Sequence, residues 1–378
     1  MTINRIVLQG CAPVPLAHYL KALGVFRVIA QQLDSGARGW WRDDAFCLAS
    51  KCDVDGLVEF FLERYEPTPF ISPWNKGSGF FDVGDPGLDP IERSRASRFG
   101  PFRDAIKVAR DAISFIEIAE AVAVERAITE RSNAIKDKRK KKELRGSQQY
   151  KTELADAKRQ IETLKARLIR DCRLKWRGPA LEWLDAVLTL DSEGTARFPA
   201  LLGSGGNDGN FEFANNAMQR IAELFDVESE WGKAKLSARG LLRSALFDDR
   251  VTGLRGGAIG QFFPGSAGGA NTGAGPIGES YVNPWDFVFT LEGSVLFASA
   301  SVRRFGTQAL AHASAPFPVR SRAAGYGSAS AAEGSTRGEQ WMPLWGRPMA
   351  FSELRTLLAE GRAQVSGRTA TTPVDLAR

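Results

Sequence analysis

The chain has 378 residues, 43% hydrophobic and 25% charged, enough for one large core or two ordinary ones and too balanced for wholesale disorder. No apolar stretch approaches the roughly 20 residues that span a bilayer, which excludes a membrane helix. The formal net charge of +6 is uneven: residues 131–177 hold 17 Lys and Arg against 6 Asp and Glu, a local +11 that leaves −5 elsewhere.

A mildly acidic body with one basic element points to a polyanion contacted along a defined surface. Leu8-Gln-Gly-Cys11 resembles a lipoprotein cleavage box, but the apolar run before it, Ile6–Leu8, is too short for a signal peptide. Cys11, Cys47, Cys52 and Cys172 are scattered with no zinc-ligand spacing. They are expected to be buried free thiols in a reducing compartment, which places the protein in the cytoplasm.

In chain order, residues 3–9 read as a short strand stopped by Gly10 and Pro13. From Leu16 the apolar residues Tyr19, Leu20, Leu23, Phe26 and Ile29 predict a helix. His18 in that helix has no neighbour suggesting a ligand or a base. Residues 39–42 and 45–48 predict a hairpin, and a helix follows from Asp53 to Tyr65. The prolines and glycines of Glu66–Phe80 forbid a helix there. Within that loop Trp74, Asn75 and Lys76 either stack and bond to nucleic acid or plug the edge of the core.

A long helical region is expected from Pro101 to about Ile135, interrupted by Lys136–Arg145 and resumed by the stripe Leu154, Ala157, Ile161, Leu164 and Leu168. It reads as a helical hairpin with a basic tip. Lys138, Arg139, Lys140, Lys141 and Lys142 are its candidate phosphate contacts. The opposing reading is a solvated charged helix.

After a short helix over 181–190, residues 201–220 pack four glycines, four asparagines and Asp208 into a turn that runs into a helix from Phe213 to Phe225. Glycines permit positive φ and close backbone approach, and consecutive N–H groups in such a turn make an anion-favouring nest. Asn207 and Asp208 can hold the turn through their own backbone, while Asn215, Asn216 and Gln219 carry donors and acceptors suited to a base edge, with Asn207 and Asn210 as further candidate nucleic-acid contacts. The opposing reading is a packed turn that satisfies its own backbone. Another helix is expected over 236–248.

Gly253 to Gly278 then holds ten glycines, where average usage of about 7% gives about two. No residue between Arg255 and Glu279 is charged. An ordered loop that meets a ligand through its backbone, Gln261 and Asn271 is the favoured reading over a linker. Ser294–Val302 is expected to be a buried element, Phe317–Arg320 an edge strand and Ser352–Gly361 a helix.

The fold class expected is α+β, a mixed body with short strands and glycine-rich loops plus the basic hairpin. Residues 1–100 form its first part, 101–180 the hairpin, 181–365 a continuation of the same body and 366–378 the start of a further region. Chemistry-bearing motifs are sparse. His18 and His312 lack metal-ligand spacing, Gly203–Gly209 lacks the Gly-Lys-Ser/Thr ending of a P-loop, and no Ser or Cys sits in a nucleophile elbow. A binding protein without metal or cofactor is expected. The rival reading is a nucleotide-binding hydrolase that uses Gly203–Gly209.

Five ordered stretches together carry a resemblance. They are Gly10–Leu16 with Tyr19–Val25, Pro67–Gly79, Leu202–Gly209 with Phe213–Asn216, Pro264–Gly269, and Asn283–Phe287. The set resembles the large subunit of the type I-G (formerly I-U) CRISPR–Cas surveillance complex, Cascade, over nearly the whole chain. The chain departs from that family near Asn210, where an arginine is usual, and near Ala217, where an aromatic is usual. Family chains continue into a further helical region, so this chain looks like the N-terminal part of such a subunit.

The resemblance implies a non-enzymatic member of a ribonucleoprotein. Such a subunit joins the backbone and guide-processing subunits on CRISPR RNA and senses the protospacer-adjacent motif (PAM) of double-stranded target DNA. It also helps open the duplex and recruits a separate helicase-nuclease, with no membrane involved. Guide pairing reads most of the sequence in such systems, leaving the protein a short motif.

Overall fold

The structure, a computed structural model, describes residues 3–191, 193–203, 212–257, 280–298, 300–302, 312–314, 316–319 and 339–360. The fold is mixed α+β, as the sequence implies. An antiparallel sheet runs in the order β1 (Asn4–Leu8), β3 (Ala45–Ser50), β2 (Arg38–Arg42), β12 (Met349–Ala350). Two-stranded ribbons pair β4 (Thr189–Leu190) with β5 (Ala196–Arg197) and β6 (Arg255–Gly257) with β7 (Ser280–Val282). Two more pair β8 (Ala300–Val302) with β9 (His312–Ser314) and β10 (Pro318–Val319) with β11 (Glu339–Gln340). Asp43 and Asp44, at φ 49° and 59°, make the tight turn between β2 and β3, the left-handed pair that a two-residue hairpin of this twist requires.

Helix α1 (Leu16–Gln32) is buried without interruption from Tyr19 to Ala30. A helix buried all round must be central. One side rests on the sheet, where Tyr19 stacks on Trp41 with ring centres 5.4 Å apart and Phe26 meets Phe46 at 5.8 Å. The other side crosses α12 (Pro284–Ser294), whose residues are almost all buried as well. The crossing is made by two glycines. A Cβ on Gly24 would lie 2.0 Å from the Phe289 carbonyl oxygen, and one on Gly293 would lie 1.9 Å from that of Leu20. Only glycine admits backbones this close.

One turn from this crossing a buried ion pair joins the two helices. The Arg27 guanidinium donates to Glu292, whose side chain is 1% exposed, and through Nη2 to Glu182 at 2.7 Å. Glu292 also accepts from the Tyr65 hydroxyl at 2.6 Å, the Thr68 amide at 2.9 Å and the Thr68 hydroxyl at 2.7 Å. Burial, with the Glu292 charge beside it, pushes the Tyr65 hydroxyl well above the ordinary tyrosine pKa. Three segments meet at this carboxylate, α1, α12 and the loop after α2 (Val54–Glu63), and Arg27 links a fourth, α8 (Pro179–Val187), through Glu182.

The region expected as one helix from Pro101 to Ile135 is two. After α3 (Leu88–Arg93) come α4 (Gly100–Arg110) and α5 (Ile113–Asn133), with Ala112 extended between them. The break separates two burial tasks. Helix α4 sends Phe102, Ala105 and Ile106 into the body, while α5 turns Phe115, Ile118 and Val122 into the hairpin. The basic run that was expected to interrupt helix is itself helical, α6 (Lys138–Gly146), followed by α7 (Gln148–Lys175). Lysine and arginine are good helix formers, and the Asp137 side chain caps α6 by accepting from the amides of Arg139 at 2.8 Å and Lys140 at 3.2 Å. The remaining helices are α9 (Ala200–Gly203), α10 (Glu212–Leu224), α11 (Ala238–Phe247) and α13 (Phe351–Glu360).

Removing one partner of a buried pair leaves an uncompensated charge. Arg27→Met is expected to lower the unfolding free energy by about 3–5 kcal/mol. Arg93→Ala, which breaks an exposed pair with Asp89, should cost no more than about 1 kcal/mol. Urea denaturation monitored by circular dichroism compares the two. Similar midpoints for both variants would contradict the assignment of Glu292 as the junction.

Candidate nucleic-acid interface

The hairpin legs α5 and α7 pack antiparallel along a seam. Ile118, Ala121 and Val122 face Ala157, Ile161, Leu164 and Leu168, most of the stripe expected from the sequence. Polar rungs fix the register: the Ser114 hydroxyl on Asp171, Arg167 on Glu117 at 2.6 Å and Arg131 on Glu153 at 2.5 Å. Near the tip Arg145 holds the Asn133 side-chain oxygen at 2.8 Å, and the Tyr150 and Ser132 hydroxyls meet at 3.3 Å. Helix α7 has 28 residues, about 42 Å at 1.5 Å per residue.

Charge is distributed unequally along this hairpin. On the legs Arg131, Arg159, Lys165, Arg167 and Arg173 each pair with a carboxylate. At the tip Lys136, Lys138, Arg139, Lys140, Lys141 and Lys142 pair with none among the described residues, and α6 buries no residue at all. The only acids within 136–143 are Asp137, engaged in capping, and Glu143. Six cations within two helical turns lie inside one or two Debye lengths of each other at physiological salt. Their field adds at the tip, whereas that of the legs is partly cancelled.

The loop before the hairpin is placed differently. Trp74 is 2% exposed and packs against Trp176 at 5.9 Å, so of the two readings for this residue the structure selects the core plug. Asn75 is half-buried, and its carbonyl accepts from the Ser78 hydroxyl at 2.6 Å. Lys76 is half-exposed, and its ammonium is paired with Glu125 of α5. Arg126 of the same helix reaches Asp82 at 3.0 Å, and Phe81 stacks on Phe115 at 5.3 Å. The loop thus braces the root of the hairpin.

Asn215, read from the sequence as a base-edge candidate, is 9% exposed, and its amide nitrogen lies 2.9 and 2.7 Å from the two carboxylate oxygens of Asp85. Its own side-chain oxygen accepts from Gln219. Asp85 also accepts from the amides of Gly87 and Leu88, at 2.9 and 2.7 Å, ahead of α3. Gly79, at φ +87°, presses against that carboxylate so closely that a Cβ would sit 2.5 Å from its carbon. Two motifs distant in sequence, residues 67–79 and 213–216, therefore converge on Asp85. As placed, Asn215 joins loop to helix and offers no free amide to a base. Asn216 on the same helix is half-buried.

Asp85 was not singled out in the sequence, although Asp85-Pro-Gly87 directly before a helix start is a turn signal for a carboxylate that accepts backbone amides. Asn207, Asn210, Gln261 and Asn271 lie outside the described residues, as does most of the glycine-rich stretch from 258 to 279. Among the described residues no three His, Cys, Asp or Glu side chains come together as metal ligands. The four cysteines are free thiols, and burial pushes that of Cys11 up to about 12. Among the described residues no helix is long and apolar enough to cross a membrane. No family model and no curated protein matches the chain.

The two motifs that meet at Asp85 respond differently to mutation. Asn215→Ala removes the side-chain partner of the buried Asp85 carboxylate, and a stability loss of about 1–3 kcal/mol is expected. Lys76→Ala breaks a pair whose lysine is half in solvent and should cost below about 1 kcal/mol. Chemical denaturation measures both. If Asn215→Ala kept full stability and lost nucleic-acid affinity, Asn215 would belong to a binding surface instead.

Proposed function

We propose that the chain binds nucleic acid through the hairpin tip, as the large subunit of a type I-G CRISPR RNA-guided surveillance complex. In that role it sits with backbone and guide-processing subunits on CRISPR RNA and senses the PAM of duplex DNA. It assists duplex opening and presents the opened target to a helicase-nuclease that acts in trans. The observation that carries the nucleic-acid reading is the tip itself, six cations at the end of a braced hairpin with no acidic partner among the described residues. The motif resemblance supplies the CRISPR part of the reading.

The physics of the tip gives the role its form. Lysine ammonium groups are compact point charges that suit phosphate oxygens and carry no base information. Such contacts position a duplex or an RNA and leave its sequence to be read elsewhere. They also release condensed counterions, so affinity falls with salt at a log–log slope of about −0.9 for each duplex phosphate neutralised and about −0.7 for a single strand.

The test replaces Lys138, Arg139, Lys140, Lys141 and Lys142 together by alanine and follows binding of a PAM-containing duplex and of CRISPR RNA across a salt series. The expected result is a flatter slope, by about 4.5 units on duplex and about 3.5 on a single strand if each cation neutralises one phosphate, with weaker binding to all sequences alike. An unchanged slope on both substrates overturns the assignment of the tip. The substrate whose slope flattens identifies the polyanion. Because α6 buries no residue, the variant is expected to fold like the parent, which circular dichroism checks.

A binding role also makes a negative prediction. The purified chain with duplex DNA, magnesium and ATP is expected to show no hydrolysis of either substrate above background. Turnover abolished by Asp208→Ala would favour a hydrolase using Gly203–Gly209.

A further inference from the structure

Helix α5 is apolar on two opposite sides, and only one of them is covered. Phe115, Ile118, Ala121 and Val122 are buried against α7 and the Phe80–Phe81 segment. On the far side Ile113, Ile116 and Val124 stand 71%, 54% and 54% exposed, and Ala123 and Ala127 are exposed beside them. At 3.6 residues per turn these five positions fall within about 100° of arc and run about 21 Å along the helix. Scattered exposed apolar side chains are ordinary, but a continuous helical stripe of them marks a contact surface.

The charges on this stripe restrict what covers it. Glu120 lies in its middle and Glu130 at its edge, and neither has an ion-pair partner among the described residues. Nucleic acid would set phosphates against these carboxylates. A second copy of the chain, meeting the centre of the same face by two-fold symmetry, would set Glu120 against its own counterpart. A helix with an apolar centre and lysine or arginine at its margins satisfies both the apolar residues and the two acids. Ala123 and Ala127 also leave room for a helix axis to approach to the short end of the usual 8–10 Å.

We propose that this outer face of α5 docks a basic amphipathic helix of a protein partner. The face is separate from the basic tip and uses none of its residues, so this inference stands or falls independently of nucleic-acid binding. The hairpin would then carry a protein contact on one leg and a polyanion contact at its end.

The test uses the full chain and two synthetic helical peptides of about 18 residues, both with leucine at the a and d positions. One carries lysine at the flanking positions and its twin carries glutamate. By fluorescence anisotropy the lysine peptide is expected to bind one-to-one, at least about ten-fold tighter than the twin. Glu120→Lys combined with Glu130→Lys is expected to invert that order. Ile116→Asp should abolish binding while leaving thermal unfolding unchanged, because Ile116 is half in solvent. Failure of the lysine peptide to bind, equal binding of both peptides, or indifference to these substitutions overturns the proposal. Self-association in sedimentation that Ile116→Asp removes would assign the face to a second copy and overturn it equally.

Discussion

The fold depends on one crossing. Helices α1 and α12 touch backbone to backbone at Gly24 and Gly293, and one turn away Arg27 and Glu292 form an ion pair sealed from solvent. Close approach and buried charge require each other. Without the glycines the helices would stand farther apart, and Arg27 could not reach Glu292. Without the pair, and without Tyr65 and Thr68 completing the coordination of the carboxylate, Glu292 would be an acid stranded in hydrocarbon. Through Arg27 and Glu182 the same network reaches α8, just beyond the hairpin's return leg. The stance of the basic hairpin thus traces back to a carboxylate at the centre of the body.

A second junction at Asp85 organises the surface that faces the hairpin root. It gathers Gly79, the start of α3 and Asn215 of α10 around one buried carboxylate. Lys76, Asp82 and Phe81 then tie this assembly to α5. The hairpin is therefore fixed at its base on the body side and internally by rungs, and α6 at its tip rests on the two legs. A charged element held this way meets a polyanion at a defined angle and loses little conformational entropy in doing so.

Legibility in the sequence followed periodicity. Strand β1, helix α1, the Asp43–Asp44 hairpin, α2 and the α7 stripe are each readable because one face is apolar and the spacing declares which. Helix α12 was not readable as a helix, since Phe287 through Leu291 is apolar but for Thr290 and such a run carries no clear period. The break at Ala112 has no glycine or proline to announce it and exists only because two neighbouring segments bury different faces. Asn215 and Trp74 illustrate the limit for sites. Amides and indoles look alike in sequence whether they serve a ligand or a neighbour, and only the position of Asp85 and Trp176 separates the cases.

The pairing of α1 with α12 also sets the order of events as the chain is made. Arg27 and Glu292 are 265 residues apart, and β12, which completes the sheet beside β2, comes later still. At about 5–20 residues per second, α1 leaves the ribosome some 13–50 s before its partner is synthesised. During that interval a helix that the finished fold buries on all sides, together with an unfinished sheet edge, has no final site to occupy. Such long-range closure makes for slow folding and for a nascent chain with exposed apolar surface. A chain built on this crossing is therefore expected to lean on chaperones during synthesis far more than its finished, well-buried core suggests.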